Sequence, residues 1–247
     1  MIKLISLNIE RSKHLHRNIP FFQQERPDVL CLQEVLEADL PKIAADLSMP
    51  HHIWLKDILT NAPTNSDGKP GYSGPAIFSR TPIFETGSEY YYFPKGGIVL
   101  EGEADTYSET NAQGIVWMST DIEGERYVFA NTHFTWSRNG DMSEKQTSDF
   151  ENLKKTLVKL PPHILCGDFN APRGRGLWER FVEFYGKDNI PQEITTTIDP
   201  ELHRVKDLKL VVDGVFAKPP YIISNVGVVA GLSDHQAIVA TVEKTRV

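Results

Sequence analysis

The stretch ILCGDFN, residues 164–170, leads from a short apolar run directly into polar side chains. An apolar run of this kind predicts a buried strand, and Asp168 then stands where the strand ends. At such a place Asp168 suits a group that orients and deprotonates a water molecule, and Asn170 suits a donor to a phosphate oxygen. The alternative is an ordinary Asx turn after a buried strand.

Similar apolar runs on both sides predict strands over residues 2–7, 29–32, 53–55, 76–78, 115–118, 127–130, 210–216, 221–229 and 237–242. Helical patterns cover residues 18–26, 36–47 and 144–160, and Ser143 with Gln146 forms a candidate capping box for the third helix. Residues 60–73 and 101–110 are polar and predict surface loops. Helices interspersed among many strands predict a layered α/β sandwich in a single domain spanning residues 1–247.

Polar side chains fall at or near the carboxyl-terminal ends of six predicted strands. They are Asn8, Glu34, Asn131 with His133, Asp168 with Asn170, Asp213, and Asp234 with His235. Rigid elements that present functional groups at one rim are what a catalytic cleft needs, because the groups are then held in a fixed geometry. The distribution therefore predicts an active site at one rim of the sandwich.

Two of these residues are candidate metal ligands. Glu34 and Asp234 offer hard oxygen atoms of the kind that Mg²⁺ and Mn²⁺ take. Mg²⁺ is typically held by one or two carboxylates together with water and substrate phosphate. Asn8 fits either a strand-end cap or a hydrogen bond to a metal-bound group. The alternative for a lone strand-end glutamate is a solvated side chain.

Two histidines are candidate phosphate donors or proton-transfer groups, namely His133 and His235; the alternative for each is a structural role. Asp213 lies inside a predicted apolar strand, where an unpaired carboxylate is costly. Pairing with His235 removes that cost and fixes the tautomer of the imidazole ring. The alternative for Asp213 is a salt bridge to Lys209 or Arg204.

Charge and cysteine content narrow the function classes. The balance of 26 basic and 33 acidic residues gives a net charge of −7, which argues against a uniformly basic protein that coats nucleic acid. Cys31 and Cys166 lie in apolar runs and are interpreted as reduced core thiols, so neither a disulfide framework nor a zinc cluster is expected. Since no signal peptide and no apolar run of membrane-spanning length is seen, the expected location is the cytoplasm.

The motifs, taken in order along the chain, resemble those of the endonuclease/exonuclease/phosphatase superfamily, which includes deoxyribonuclease I, exonuclease III-type enzymes and tyrosyl-DNA phosphodiesterase 2. They are SLNIE at 6–10, LQEV at 32–35, GPAIFSR at 74–80, NTHF at 131–134, GDFN at 167–170, VVDGVF at 211–216 and LSDH at 232–235. The resemblance covers essentially the whole chain. It implies a four-layered α/β sandwich with two central, mainly antiparallel sheets flanked by helices. It also implies a rim site with a divalent metal, Mg²⁺ or Mn²⁺.

By motif, the resemblance implies that Asn8, Glu34 and Asp234 hold or support the metal. Asp168 is implied to position the attacking water and Asn170 to contact the phosphate.

The resemblance also implies that His235, paired with Asp213, contacts or protonates the phosphoryl group. His133 matches a histidine of deoxyribonuclease I. Two other groups of the superfamily, the neutral sphingomyelinases and the inositol-polyphosphate 5-phosphatases, carry the same histidine. Abasic-site endonucleases usually carry a tyrosine in a comparable role, so this residue departs from their pattern.

Substrate choice is expected to lie with loop residues. The candidates are aromatic or basic side chains that stack on a base or meet a phosphate, namely Trp136, Arg138, Arg173, Arg175, Trp178 and Tyr72. The alternative for each is surface decoration or helix packing.

Three hypotheses follow. The first is a phosphodiesterase that acts on nucleic acid at an end, a single strand or a damaged site, as in DNA repair, including a tyrosyl-DNA-type activity. The second is a phosphatase or phosphodiesterase for a small phosphate ester or a lipid headgroup. The third is a binding module that has lost catalysis, which the presence of every expected polar site residue disfavours.

Overall fold

The computed structural model describes residues 1–61, 68–100 and 110–245, and within these ranges it contains four α-helices and twelve β-strands. The predicted loops at 60–73 and 101–110 lie in part outside the described residues. The strands are β1 (Ile2–Asn8), β2 (Val29–Leu36), β3 (His51–Trp54), β4 (Ile58–Thr60), β5 (Gly71–Ser79), β6 (Ile83–Tyr92), β7 (Gln113–Ile122), β8 (Glu125–His133), β9 (Ile164–Asp168), β10 (Asp213–Ala217), β11 (Tyr221–Val229) and β12 (Ala237–Lys244). The helices are α1 (Leu15–Glu25), α2 (Leu40–Leu47), α3 (Glu144–Lys159) and α4 (Gly176–Tyr185).

The strands form two sheets. The seven-stranded sheet has the order β11-β12-β1-β2-β5-β3, with β4 also paired to β5, and the five-stranded sheet has the order β10-β9-β8-β7-β6. Each sheet contains one parallel pair, β1–β2 and β8–β9, and its other pairs are antiparallel. The apolar sides of α1 and α2 cover the outer face of the first sheet, and those of α3 and α4 join the core of the second. The predicted four-layered α/β sandwich is confirmed.

The pairing in the seven-stranded sheet brings three chain segments to one rim. In the parallel pair β1–β2, Asn8 lies opposite Gln33, so both strands end at the same edge. In the antiparallel pair β1–β12, Ser6 lies opposite Ile238, so β12 begins where β1 ends. The residues just before β12 therefore lie beside the last residue of β1.

The five-stranded sheet repeats this arrangement. His133 and Asp168, the last residues of β8 and β9, are direct neighbours in the parallel pair. Asp213, the first residue of β10, lies opposite Asp168 in the antiparallel pair. The sequence interpretation placed Asp213 inside a strand and near its carboxyl end, and that was wrong: Asp213 is the first residue of β10, and His235 lies just before β12. This shared edge of the two sheets is the site rim.

A buried asparagine links the two sheets. Asn131 in β8 is fully buried, and its amide nitrogen donates to the carbonyls of Leu32 at 2.7 Å and Ala76 at 2.9 Å, which belong to the other sheet. Its carbonyl oxygen accepts from the Gln33 amide at 2.7 Å. Although the sequence groups Asn131 with the rim residues, its side chain points into the sandwich and holds the two sheets together.

Helix predictions met mixed outcomes. The capping box of α3 is confirmed, since the amide of Gln146 donates to Ser143 Oγ at 3.1 Å and the amide of Ser143 donates to Gln146 Oε1 at 3.4 Å. Helix α1 begins at Leu15 and not at Asn18, and Pro20 lies inside it. The predicted helix over 36–47 is a 3₁₀ turn, Glu37–Asp39, followed by α2. The predictions also omitted α4, β4 and most of β6.

The two cysteines lie in the core, both fully buried and both free, in agreement with their interpretation as core thiols. Among the helices of the described residues, none combines the length and the apolar character that crossing a membrane requires. The compartment and the single-domain boundary stay predictions.

Replacing Asn131 tests the link between the sheets. Asn131→Leu keeps the volume but removes three hydrogen bonds from a buried site, so we expect a loss of about 2–4 kcal/mol in the free energy of unfolding. Urea unfolding followed by circular dichroism measures it. Asn152→Ala, which removes a half-buried asparagine bonded to the Tyr91 carbonyl, is the control and should cost less than about 1 kcal/mol. Equal losses in the two variants would contradict the bridging role of Asn131.

Candidate active site

The carboxylate of Asp168 lies at the centre of the site rim. Only 1% of the residue is exposed, and its Oδ2 accepts from the Asn8 amide at 3.2 Å. The same oxygen lies 3.6 Å from Nε2 of His133 and 3.7 Å from Nε2 of His235. Its Oδ1 accepts from the backbone amide of Asn170 at 2.9 Å, so the Asx turn considered as an alternative is present as well. Both sheets therefore contribute groups to one carboxylate.

Asn8 connects Asp168 to the other acidic side of the rim. Its amide nitrogen lies 3.2 Å from Glu34 Oε1 and 3.2 Å from Asp168 Oδ2, and its Oδ1 accepts from the amide of Glu10 at 3.1 Å. Glu34 has a φ of 59°, at a register shift of β2 between Leu32 and Val35. A bulge of this kind redirects a side chain, which explains how Glu34 reaches the rim from within a strand.

The predicted pair of His235 and Asp213 is present. Nδ1 of His235 lies 2.8 Å from Asp213 Oδ2, and both residues are buried. Burial raises the pKa of Asp213 to about 6; the charge of His235 opposes that rise and the Asp168 carboxylate adds to it. Burial alone would lower the pKa of His235, but the carboxylates of Asp213 and Asp168 outweigh it and raise that pKa well above its usual value. The pair therefore presents Nε2 of a charged imidazole to the side of the rim where Asp168 lies.

Asp234 shares the acidic side of the rim with Glu34. Burial raises the pKa of Asp234; His235 opposes this, and the nearby carboxylates of Glu34 and Glu10 raise it further. Ser233 Oγ donates to its Oδ1 at 3.1 Å. Carboxylates that hinder each other's ionisation in this way favour a cation between them.

The donor atoms at the rim fit a hard divalent cation. The carboxylates of Glu34 and Asp234 supply oxygen, the ligand type that Mg²⁺ and Mn²⁺ prefer, and a cation there would relieve the repulsion that raises the Asp234 pKa. Within the described ranges, candidate ligand atoms of Asp168, Asp213 and His235 also lie within 4.8 Å of one another. In that second group, however, the hydrogen bond of 2.8 Å occupies Asp213 Oδ2 and His235 Nδ1 with each other.

Asn170 is held at the rim by the backbone. Its amide nitrogen donates to the carbonyl of Phe134 at 2.8 Å, and its φ is 49°. This leaves one of its two amide hydrogens for another acceptor. Its contact with a phosphate stays a prediction.

Two predicted substrate contacts are wrong. Trp178 is fully buried in α4, its ring packs against Phe169 and Phe216, and its indole nitrogen donates to Asp188 at 3.2 Å. No face of the ring is open for a base. The guanidinium of Arg173 donates to the carbonyls of Ile190 at 3.1 Å, Pro191 at 3.2 Å and Ile194, so it fastens a loop and not a ligand.

Arg175 also bonds within the protein. Its Nη1 donates to the carbonyl of Asn139, which belongs to the short turn Arg138–Gly140, and lies 3.4 Å from Oδ1 of Asp141, which follows that turn. Because the side chain is 41% exposed and Nη1 alone makes these bonds, substrate contact by Arg175 stays a prediction.

Three further substrate candidates stay predictions. Trp136 is half-buried and Arg138 is exposed, both directly after the strand that carries His133. Tyr72 lies in β5 and not in a loop, half-buried, with the Lys56 ammonium 4.9 Å from its ring centre.

Sequence reasoning missed two charged residues next to Glu34. Nε of Arg11 lies 3.6 Å from Glu34 Oε2. Asp57 is 1% exposed, and its Oδ1 has no hydrogen-bond partner among the described residues. Burial raises the pKa of Asp57 well above its usual value; the Glu34 carboxylate adds to this rise, and the charge of Arg11 opposes it. The signal in the sequence was weak, since Asp57 follows Lys56 and precedes two apolar residues in WLKDIL, 54–59.

Because its pKa is raised, Asp57 lowers the free energy of unfolding by an amount that grows with pH. A carboxyl whose pKa is higher in the fold than in the unfolded chain, where it is about 3.9, stabilises the fold while both states are protonated, and this contribution is lost as the pH rises. Asp57→Asn, which stays neutral, should therefore be more stable than the parent by about 1 kcal/mol or more at pH 8. The difference should shrink as the pH falls towards 4, in urea unfolding at a series of pH values.

Asp46→Asn is the control, because Asp46 pairs with Lys42 on the surface and such pairs contribute about 0–1 kcal/mol. A gain from Asp57→Asn that is constant with pH, or a loss at pH 8, would contradict the assignment.

Comparison with known proteins identifies the family and the fold. Residues 5–235 match the model of the Endonuclease/Exonuclease/phosphatase family. No curated protein matches the chain.

Solved structures of similar fold include an endonuclease/exonuclease/phosphatase family protein of Leptotrichia buccalis, at 17% identity and a TM-score of 0.70, covering 98% of this chain and 100% of that one. A mannosyl-6-phosphatase of Bacteroides thetaiotaomicron has 15% identity and a TM-score of 0.66, with 98% and 100% covered. The human Nocturnin catalytic domain with bound sulfate has 18% identity and a TM-score of 0.66, with 99% and 93% covered. At these identities the similarity concerns the fold. Because the family model spans nearly the entire chain, this protein belongs to the Endonuclease/Exonuclease/phosphatase family.

Proposed function

We propose that this protein is a divalent-metal-dependent phosphoesterase that hydrolyses a phosphodiester by in-line attack of water. The observation that carries the proposal is the buried carboxylate of Asp168, with Nε2 of His133 at 3.6 Å and Nε2 of His235 at 3.7 Å from the same oxygen. A base and two imidazoles around one point are the groups that this reaction needs.

Glu34 and Asp234 would hold Mg²⁺ or Mn²⁺, and Asn8 would keep Glu34 in place through its bond of 3.2 Å. When bound, the ion supplies positive charge that stabilises the negative charge growing on the phosphate oxygens.

The protein's own residues account for the proton movements. Asp168 accepts a proton from the attacking water as general base. His235, held in its charged form by Asp213, donates from Nε2 to a phosphoryl or leaving oxygen. His133 and the amide of Asn170 donate to the other oxygens, so that the developing charge meets donors already in position. No covalent intermediate with the enzyme is involved.

Among substrates we favour nucleic acid, at an end, a single strand or a damaged site, including a tyrosyl-DNA-type linkage. Trp136 and Arg138 support this choice, because both follow the strand that carries His133 and both are at least partly exposed. An indole and a guanidinium together stack on a base and meet a phosphate. The net charge of −7 favours a short contact over the long basic track that binds extended duplex.

A small phosphate ester is the second candidate substrate. Two side chains that would have extended a nucleic-acid surface, Arg173 and Trp178, bond or pack within the protein. A mannosyl-6-phosphatase also shares the fold.

Loss of the proposed base or acid should abolish turnover. Asp168→Asn and His235→Ala should each lower kcat by about 100-fold or more, since general acid–base groups contribute 10²–10⁴-fold. The assay is Mg²⁺-dependent hydrolysis of single- and double-stranded DNA with abasic or 5′-tyrosyl ends, RNA, inositol phosphates, sugar phosphates and sphingomyelin. Asp46→Asn and His52→Ala, both outside the rim, are the matched controls. Near-normal turnover by both site variants, with the fold intact, would refute the mechanism.

Trp136 and Arg138 separate the two substrate classes. If nucleic acid is the substrate, Trp136→Ala should weaken its binding by about 1–3 kcal/mol. Arg138→Ala should reduce the salt slope of binding by about 1. Lys154→Ala, on the exposed side of α3, is the control and should change neither. Hydrolysis confined to a small phosphate ester, unaffected by both substitutions, would replace the first substrate class by the second.

A further inference from the structure

Residues 194–199 form a non-helical segment next to the pair of Asp213 and His235. It contains Thr197, which is fully buried, and it lies between the chain that leads into β10 and the chain that leads into β12. Asp213 begins the first of these strands and His235 precedes the second. Thr197 thus contacts both chains that must be aligned for the pair to form.

On one side, Thr197 binds the chain that carries Asp213. Its Oγ1 accepts from the backbone amides of Val212 at 3.0 Å and Asp213 at 3.1 Å, and its own amide donates to the carbonyl of Leu210 at 2.9 Å. The threonine hydroxyl therefore acts as the acceptor for the first amide of β10. Without it, two buried backbone donors would lose their partner.

On the other side, the same residue binds the chain that carries His235. The amide of Gln236 donates to the carbonyl of Thr197 at 2.7 Å. The next residue, Ile198, forms an antiparallel bridge with His235 and accepts from the Gln236 side chain at 2.9 Å. These contacts hold the backbone of His235 and Gln236 against the segment.

The segment continues to the neighbouring acidic residue of the rim. The amide of Asp199 donates to the carbonyl of Asp234 at 2.8 Å, and its Oδ2 accepts from the amide of Gly231 at 2.6 Å. The turn that presents Asp234 and His235 is held from the same side.

The Asp213 carboxylate is oriented by two side chains. Its Oδ2 makes the bond of 2.8 Å to His235. The Thr197 hydroxyl is a further hydrogen-bond partner of the carboxylate and opposes the rise in the Asp213 pKa that burial causes. Thr197 therefore places both the backbone of residue 213 and its carboxylate.

We infer that Thr197 is a positioning residue, whose hydroxyl sets the alignment of Asp213 with His235. The inference rests on the proposed function for its effect on rate, but the alignment itself is a property of the protein without substrate. Thr197 is fully buried, so its proposed effect runs through the pair and not through contact with a substrate.

The test compares Thr197→Val, which keeps the shape and removes the acceptor, with Thr197→Ser, which keeps the hydroxyl. In the Val variant we expect kcat to fall by about 10- to 100-fold with KM nearly unchanged, since small misplacements of catalytic groups cost up to about 10²-fold. The Ser variant should stay within a few-fold of the parent. Thr120→Val is the matched control, because Thr120 is equally buried and its hydroxyl bonds Thr81 and the Pro82 carbonyl far from the rim.

A second readout needs no substrate. The proton between His235 Nδ1 and Asp213 should give a downfield ¹H NMR signal in the metal-free protein, assigned by its absence in His235→Ala. We expect this signal in the parent, in Thr197→Ser and in Thr120→Val, and its loss or displacement in Thr197→Val. An unchanged signal in Thr197→Val would overturn the inference, whatever the outcome of the activity assays.

Should Thr197→Val fail to fold, hydrogen exchange in the parent protein decides. The amides of Val212 and Asp213 should exchange slowly, as bonded buried amides do. Exchange at the rate of open loop amides would overturn the inference.

Discussion

The alignment of the two sheets is the constraint on which the rest of the structure depends. Glu34 and Asn8 belong to one sheet, and Asp168 and His133 belong to the other, so the site exists only while the sheets keep their relative position. Apolar packing is non-directional and sets the distance between the sheets better than their offset. The hydrogen bonds of the buried Asn131 to two carbonyls of the opposite sheet supply the missing direction, close to the rim where it matters.

The electrostatics of the rim follow from this convergence. Several carboxylates meet in a buried place, and burial together with mutual repulsion raises the pKa values of Asp57, Asp213 and Asp234. Positively charged side chains lie beside two of the acidic residues of the rim. Arg11 lies against Glu34, and His235 lies against Asp213. A cation held by Glu34 and Asp234 would relieve the repulsion between these two carboxylates. The protein thus separates a side that suits a metal from a side that holds protons.

Part of the rim was readable from the sequence, because apolar runs that end in polar residues point to Asn8, His133 and Asp168. Glu34 and His235 were found as well, although Glu34 lies at a bulge inside β2 and His235 precedes β12. The predictions that failed concern residues whose structure is set by hydrogen-bond partners, and an apolar pattern does not reveal such partners. Residues 210–212 look like strand, yet their backbones bond to Phe169, Arg173 and Thr197 and not to β9. The burial of Trp178 could have been predicted. The apolar residues of this helix recur at helical spacing, which indicates a buried helix face; they are Leu177, Trp178, Phe181 and Tyr185. Thr197 has no such signal, since its role lies in two backbone amides distant in sequence.

The pairing of β1 with β12, in which Ile2 lies opposite Val242, has a consequence for biosynthesis. During synthesis Asn8 emerges long before Asp234 and His235, which arrive just ahead of the strand that must lie beside β1. Until then one edge of β1 lacks its partner strand, and the site rim lacks Asp234 and His235. A nascent chain therefore carries no complete site, and the site rim is assembled only once β12 has paired with β1.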